Sequence, residues 1–408
     1  MIIPTIDIMN GKAVKLIMGS ATSKKYETDA LDLAKNYSIY PIVNVIDLDA
    51  AFGNGENTTL IKQICRICSC NVGGGIRSKE KAMEYLGAGA KKAIIGTCAN
   101  KEFLTQLPKE RIIVALDSKK GTIVNKGWVN KTNKTPLEKA IELQEYCSGF
   151  LYTYVDNEGM MNGIDLKTVK KLKDAVKNKI SYAGGISSTR DIMQLESLGI
   201  DSVLGMAVYK KKIGLIDAFI SIIDFKKCNS LIPTIVQDEE KRVLMLAYSN
   251  IESLKATLST RKCTYFSRSR NTLWQKGKTS GNTQTLIRFN VDCDKDALLF
   301  TVKQKNAACH TNQYSCFSEK EFCLEDLYSL IDERIKKPKQ NSYTSKIAKD
   351  EKKIIKKIEE ESAEVINYKD RKNLVWEIAD LTYFLLVLMA KKGIGIDEIR
   401  DELWSRRK

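Results

Sequence analysis

The chain has 408 residues, 43% apolar and 28% charged, with a formal net charge of +16. That length exceeds one ordinary hydrophobic core and suits two or three domains, while the composition excludes a disordered tail or a fibre. Eleven cysteines, an odd number spread along a long chain, argue for reduced thiols or metal ligands rather than a disulfide framework.

Met1-Ile2-Ile3-Pro4 leads straight into an apolar strand without a basic start, so no secretory leader is expected. The longest apolar run, Phe384–Ala390, is too short to span a bilayer, which makes a cytoplasmic protein without membrane contact the expectation. The positive charge is uneven: residues 1–225 carry +7, residues 226–318 carry +8 and residues 319–408 carry +1. So dense an excess in the middle calls for a polyanion, either RNA or a small molecule with several phosphates. No basic-and-aromatic stacking motif accompanies it, so the small molecule is preferred and no nucleic-acid partner is expected. A nucleic-acid-binding protein stays as the reading of another class.

Residues 1–225 alternate strand-like and helical stretches, with strands over Ile2–Ile8, Ile42–Asp47, Ala93–Ile95, Ile112–Leu116, Phe150–Val155, Ile180–Ala183 and Ser202–Leu204. An internal offset organises them. Asp7 and Gly11 recur as Asp117 and Gly121, and Gly74-Gly75 with Ser78 recurs as Gly184-Gly185 with Ser188, each 110 residues later; Gly96 returns as Gly205 after 109. Two four-stranded halves of this kind close into a (β/α)8 TIM barrel. Asp7 and Asp117 then end strands one and five and face each other across the barrel mouth, where two carboxylates can divide into acid and base. The two glycine pairs expose backbone N–H groups at opposite ends of a diameter, which suits a substrate with a phosphate at each end.

Residues 226–318 follow with almost no linker and read as a small β-rich α+β domain. Cys293, Cys309 and Cys316 offer soft thiolates suited to zinc, with His310, the sole histidine, beside them. Asp292, Asp294 and Asp296 alternate, and on a strand they would point three hard oxygen ligands for magnesium to one face. Three thiolates leave a coordination position for water, which reads as hydrolysis. Residues 319–408 read as all-α, with helical periodicity over Ile354–Ile366, Leu374–Met389 and Ile396–Leu403. Glu360, Glu361 and Glu364 fall within about one turn, Glu377 and Asp380 are three apart, and two such faces packed together would hold magnesium against a triphosphate.

Three resemblances sharpen this. Ile3-Pro4-Thr5-Ile6-Asp7, Val45-Ile46-Asp47-Leu48-Asp49, Gly73-Gly74-Gly75-Ile76-Arg77-Ser78, Ile95-Gly96-Thr97, Gly127-Trp128 and Ala183-Gly184-Gly185-Ile186 resemble the histidine-biosynthesis isomerase that turns an aminoaldose ribotide into an aminoketose. That likeness implies Asp7 as base at the sugar C2, Asp117 as the acid that opens the ribose ring and Thr153 as a polar support, with Gly74, Gly75, Arg77, Gly96, Thr97, Gly184, Gly185 and Gly205 on the phosphates; no cofactor is implied for the barrel. The chain departs from the pattern at Asn44, Ala50, Tyr154 and Glu158, the last two standing where aspartates are usual.

Ser267-Arg268-Ser269-Arg270, Leu273-Trp274-Gln275-Lys276-Gly277, Thr279-Ser280-Gly281-Asn282 and the cysteine–aspartate cluster resemble phosphoribosyl-AMP cyclohydrolase, a dimeric zinc enzyme. The likeness implies zinc on Cys293, Cys309 and Cys316 across two subunits, magnesium on Asp292, Asp294 and Asp296, proton transfer by His310, and substrate contacts from Ser267, Arg268, Arg270, Trp274, Lys276 and Ser280. The helical end, with Ser342-Tyr343-Thr344 upstream, resembles phosphoribosyl-ATP pyrophosphohydrolase, with Phe384 and Glu359 as departures. Together these imply a trifunctional histidine-biosynthesis enzyme acting on phosphoribosyl nucleotides and dimeric through its middle and C-terminal parts. The alternative is a two-step hydrolase whose barrel is inactive or has changed substrate.

Overall fold

The computed structural model describes residues 1–15, 26–125, 127–128, 130–317 and 322–406, apart from the Ser405 side chain. It divides into two compact units, Met1–Phe317 and Ser318–Lys408. The division expected at 318/319 lies outside the described residues.

Eight parallel strands form the first part: β1 (Ile2–Met9), β2 (Val43–Asp47), β3 (Cys70–Gly73), β4 (Lys92–Ile95), β5 (Ile112–Lys119), β6 (Gly149–Tyr154), β7 (Lys179–Ala183) and β8 (Asp201–Leu204). Each pairs with its successor, and β8 returns to β1 through Ile2↔Ser202, Ile3↔Val203 and Pro4↔Leu204, closing the barrel. Cys70–Gly73 is a strand absent from the sequence reading. Its four residues include Asn and Gly and lack a β-branched run, so only the neighbours Val43–Ile46 and Lys92–Ile94 hold it extended.

The internal repeat is built into the backbone. Asn10-Gly11 and Lys120-Gly121 both turn with positive φ, so β1 and β5 each continue into a hairpin at corresponding places. Ser78 and Ser188 both cap the helix that follows, accepting from Lys81 N and Asp191 N.

In the middle domain β9 (Ile232–Gln237), β10 (Val243–Ser249), β13 (Gln284–Val291) and β14 (Leu298–Gln304) form one sheet in the order β10-β9-β14-β13, while β11 (Thr264–Ser267) and β12 (Thr272–Gln275) form a separate hairpin. This domain shares a continuous hydrophobic core with the barrel. Tyr40 stacks on Phe219 with ring centroids 4.7 Å apart, and Phe289 of β13 meets Tyr40 at 5.7 Å and Phe219 at 5.0 Å, edge-on. Phe289 N donates to Ile39 O at 3.1 Å, and Lys295 pairs with Glu196 at 3.2 Å.

The C-terminal unit has helices Leu324–Lys336, Tyr343–Ile347, Glu351–Ile366, Arg371–Lys392 and Ile396–Ser405. Among the described residues Arg371–Lys392 is the one helix long and apolar enough, by length and composition, to cross a membrane. Phe384, Leu386, Val387 and Ala390 are buried in the core of this unit, but Leu385, within the run expected to be buried, is exposed, as are Val375, Trp376 and Ile378.

Truncating Tyr40 removes the ring that joins barrel to sheet. Tyr40→Ala should cost about 3 kcal/mol and, in calorimetry of the full chain, resolve the unfolding of Met1–Phe317 into separate barrel and middle-domain transitions.

Candidate functional site

The mouth at the C-terminal ends of the barrel strands is a single cavity lined by Asp7, Asp117, Thr153, Gly74, Gly75, Arg77, Gly96, Thr97, Gly184, Gly185 and Gly205, so every barrel residue expected in the site reaches it. The glycines are required by space. A Cβ on Gly74 would lie 2.1 Å from Asp47 O, and one on Gly184 would lie 2.3 Å from Tyr154 O; both residues have strongly positive φ. Each pair thus folds over the end of the preceding strand, β2 in one half and β6 in the other.

The two opposed aspartates have different surroundings. Asp7 Oδ1 accepts from Thr5 Oγ1 at 2.9 Å, and Asp7 Oδ2 pairs with Lys15 Nζ at 2.5 Å. Lys15 is only 2% exposed, and its ammonium faces this carboxylate, with the Tyr209 ring 5.7 Å away. Burial pushes the Asp117 carboxyl up, against hydrogen bonds from Thr153 and Trp128 that favour the anion. One carboxylate is therefore matched by a cation while the other is held by neutral donors, the asymmetry that an acid–base pair needs.

Lys15, Trp128 and Glu158 were missed as site residues. Lys15 belongs to the strand Lys12–Lys15, whose pattern gives no sign that a lysine would be enclosed. Glu158 is half-buried in the same mouth, and burial, opposed by Lys15 and reinforced by Asp7 and Asp117, raises its carboxyl to about 7.

In the middle domain Cys309 and Cys316 are brought together, each acting on the other's thiol. A hydrogen bond from Thr311, Oγ1 to Sγ at 3.0 Å, lowers the Cys309 pKa, whereas burial raises that of Cys316. His310 is exposed, its Nδ1 3.8 Å from the Cys309 sulfur. Cys293 is exposed and joins no cluster of close ligand atoms with the other two among the described residues. Lys276 donates to Ala308 O and lies 5.8 Å from the Trp274 ring, which Arg270 faces from 6.0 Å. Arg268 sits over Tyr248 at 3.8 Å, Ser267 Oγ accepts from Arg270 Nε at 3.3 Å, and Ser280 Oγ accepts from Asn282 N at 3.3 Å.

Asp292, Asp294 and Asp296 do converge, with carboxylate oxygens within 4.8 Å of one another, but not by strand alternation. β13 ends at Val291, and the aspartates lie in a loop turned by Asp292 Oδ1, which accepts from Asp296 N at 3.0 Å and Ala297 N at 3.1 Å, with Lys295 at positive φ. Lys227 bridges Asp294 and Asp296.

In the C-terminal unit Glu361, Glu377 and Asp380 bring oxygens within 4.8 Å. Glu364 meets Glu377, whose hydrogen bond raises the Glu364 carboxyl. Glu360 pairs with Lys357 at 2.9 Å and lies outside that cluster, although the same lysine stands 3.5 Å from Glu361 within it.

Residues 1–214 match the family model for histidine biosynthesis proteins, more than half of the chain. The chain belongs to the histidine biosynthesis family. Residues 245–318 match phosphoribosyl-AMP cyclohydrolase and residues 324–407 match phosphoribosyl-ATP pyrophosphohydrolase, so isomerase-type barrel, cyclohydrolase and pyrophosphohydrolase domains are all present in that order. A histidine biosynthesis bifunctional protein HisIE of Pyrococcus furiosus is 41% identical over 207 residues, covering 47% of this chain and 99% of that protein. The 1-(5-phosphoribosyl)-5-((5-phosphoribosylamino)methylideneamino) imidazole-4-carboxamide isomerase of Methanosphaera stadtmanae is 39% identical over 230 residues, covering 53% of this chain and 97% of that protein. The HisIE protein of Bacillus subtilis is 42% identical over 192 residues, covering 44% of this chain and 92% of that protein. Each accounts for about half of a chain that joins both kinds.

The Glu158 carboxyl gives a pH signature with a definite sign. Its pKa lies at about 7 in the fold against an ordinary 4.5, so the folded chain keeps a proton that the unfolded chain loses as pH rises between these values, and stability falls across that window. Glu158→Gln should therefore stabilise the protein at pH 8 by up to about 3 kcal/mol relative to its effect at pH 4, as measured by urea unfolding at the two pH values.

Proposed function

We propose that the chain carries out three consecutive steps of histidine biosynthesis: loss of pyrophosphate from phosphoribosyl-ATP in the helical unit, hydrolytic opening of the adenine ring of phosphoribosyl-AMP in the middle domain, and aminoaldose-to-aminoketose isomerisation in the barrel. The observation that carries the isomerase step is the pairing of Lys15-bound Asp7 with buried Asp117 in one cavity flanked by both glycine pairs. Asp7, paired with the Lys15 ammonium, takes the proton at the sugar C2; Asp117, whose burial favours the neutral form, gives one to the ring oxygen; Thr153 orients Asp117.

The residues of the other two sites fit the metals their chemistry calls for. The Cys309 thiol, drawn towards thiolate by Thr311, together with Cys316 and a Cys293 from a second copy would hold zinc, which supplies hydrolytic chemistry through a water of lowered pKa. The separation of Cys293 from the other two within one chain supports a homodimer. So do the exposed Val375, Trp376, Ile378 and Leu385 on a single helix of the C-terminal unit. His310, beside the thiols, moves the proton, and Ser267, Arg268, Arg270, Trp274, Lys276 and Ser280 bind the nucleotide. Glu361, Glu364, Glu377 and Asp380 would hold magnesium against the triphosphate, and Asp292, Asp294 and Asp296 a second ion once Lys227 is displaced. All the cysteines are free thiols, which supports a reducing, cytoplasmic setting.

Supplying phosphoribosyl-ATP with magnesium and zinc and identifying every product tests the whole reading. Asp117→Asn should lower isomerisation by about 100-fold or more while both hydrolytic steps continue, and Glu361→Gln should stop pyrophosphate release while phosphoribosyl-AMP supplied directly is still opened. Single-step assays of the two variants check this. Retained isomerisation in the first would remove the acid from the mechanism.

Loss of the soft ligand should act on assembly and chemistry together. In Cys309→Ser, zinc content, sedimentation coefficient and ring-opening rate are expected to fall in parallel, with isomerisation of supplied aminoaldose unaffected; zinc at the wild-type level by elemental analysis rejects the ligand assignment.

A further inference from the structure

In a (β/α)8 barrel the segments that enter the strands lie at one end and the active-site mouth at the other, a strand length of roughly 15 Å apart. The middle domain is attached to the entering end by several contacts. Ile39 and Tyr40, which meet Phe289, precede β2; Glu196, which pairs with Lys295 at 3.2 Å, precedes β8. Arg261 donates to Lys35 O and, at 3.4 Å, to Ser38 Oγ, again on the segment that enters β2. Lys255 reaches Asp217 on the barrel's last helix at 2.8 Å, and Asp224 N, just beyond that helix, donates to Lys295 O at 2.8 Å. In contrast, among the described residues those lining the mouth all belong to the segment Thr5–Ala207, and none comes from the middle domain.

Among the described residues, apolar side chains fill the barrel beneath its mouth. Ile3 of β1, Ile94 of β4, Leu151 of β6 and Val203 of β8 pack with Met1, Ile42, Ile46 and Ile113 into an apolar core at the floor of the cavity. Such a layer, at the packing density of a protein interior, admits no doubly phosphorylated ribotide. The attachment is also rigid, since aromatic packing, main-chain hydrogen bonds and a shared core all fix it. A swing that would bring the middle domain round to the mouth would have to break that core.

Resting on the proposed sequence of reactions, we infer that the ring-opened ribotide made in the middle domain reaches the isomerase mouth only by release into bulk solvent: the fusion couples the folding of the two domains and not the passage of their intermediate. On this view the domains are joined through the barrel face that serves stability, leaving the mouth free for a diffusing substrate. The density of positive charge in the middle domain serves capture of its own nucleotide.

The test is isotope dilution with the full-length protein. Labelled phosphoribosyl-AMP is supplied with a tenfold excess of unlabelled aminoaldose ribotide, and the label in the aminoketose is followed with time. Release into solvent predicts that the label is diluted at least tenfold at early times, and that without the added pool the ketose appears after a lag that lengthens as the enzyme is diluted. Label that enters the ketose undiluted, with no lag, overturns the inference, whether it passes within one chain or between two copies. The two single-step assays, each with its own substrate, separate this from failure of the functional reading. A chain that performs both steps and channels refutes release alone; a chain that lacks one of the steps refutes the reaction sequence and the inference with it.

Discussion

Closure of the barrel is the constraint on which the rest depends. The eighth strand must pair with the first and β5 with β6, and only then do two halves of similar sequence face each other. The register Thr153↔Asp117 on β6 and β5 is a direct product of that closure, and it sets the hydroxyl beside the carboxylate that it supports. Close approach of backbone to backbone finishes the mouth. Because Gly74 touches the end of β2 and Gly184 the end of β6, any side chain there would force the backbone segments apart.

The repeat supplies symmetry, and the chemistry requires that it be broken. Asp7 and Asp117 occupy equivalent strand positions, yet only Asp7 has a buried lysine against it. An ammonium at hydrogen-bonding distance favours the anion, whereas burial with neutral donors leaves the proton on or off at smaller cost. Glu158 adds a third acid to the same space, and its raised carboxyl follows from crowding: a further negative charge near Asp7 and Asp117 is resisted, and Lys15 compensates only part of that. A single lysine thus makes the surroundings of the two equivalent acids unlike.

Much of this was legible in the chain. The 110-residue offset exposed the barrel because it recurs at residues with chemical reasons to be where they are: carboxylates, turn glycines and helix-capping serines. Strands with a clear apolar run were legible too, whereas Cys70–Gly73 was not, because its extension is imposed by neighbours rather than by its own residues. Lys15 was hidden for a related reason, since a lysine in a hairpin reads as solvated and only the closed barrel encloses it. The acidic triplet was located correctly, but its convergence was attributed to strand alternation when Asp292 makes it by turning the loop. Likewise helical spacing grouped Glu360 with Glu361, but it carries no information about Lys357, which lies 2.9 Å from the first and 3.5 Å from the second.

The acidic clusters show why spacing alone underdetermines such sites. Carboxylates whose oxygens lie within 4.8 Å repel one another, and the chain answers this in two ways. At Asp294 and Asp296 the ammonium of Lys227 supplies the positive charge, from the short segment that links barrel to sheet. In the helical unit Lys357 stands 2.9 Å from Glu360 and 3.5 Å from Glu361, while a hydrogen bond with Glu377 raises the Glu364 carboxyl. Each cluster therefore keeps a lysine of the chain beside at least one of its carboxylates. Spacing can set carboxylates on one face, but only the folded chain shows which of them a lysine already faces.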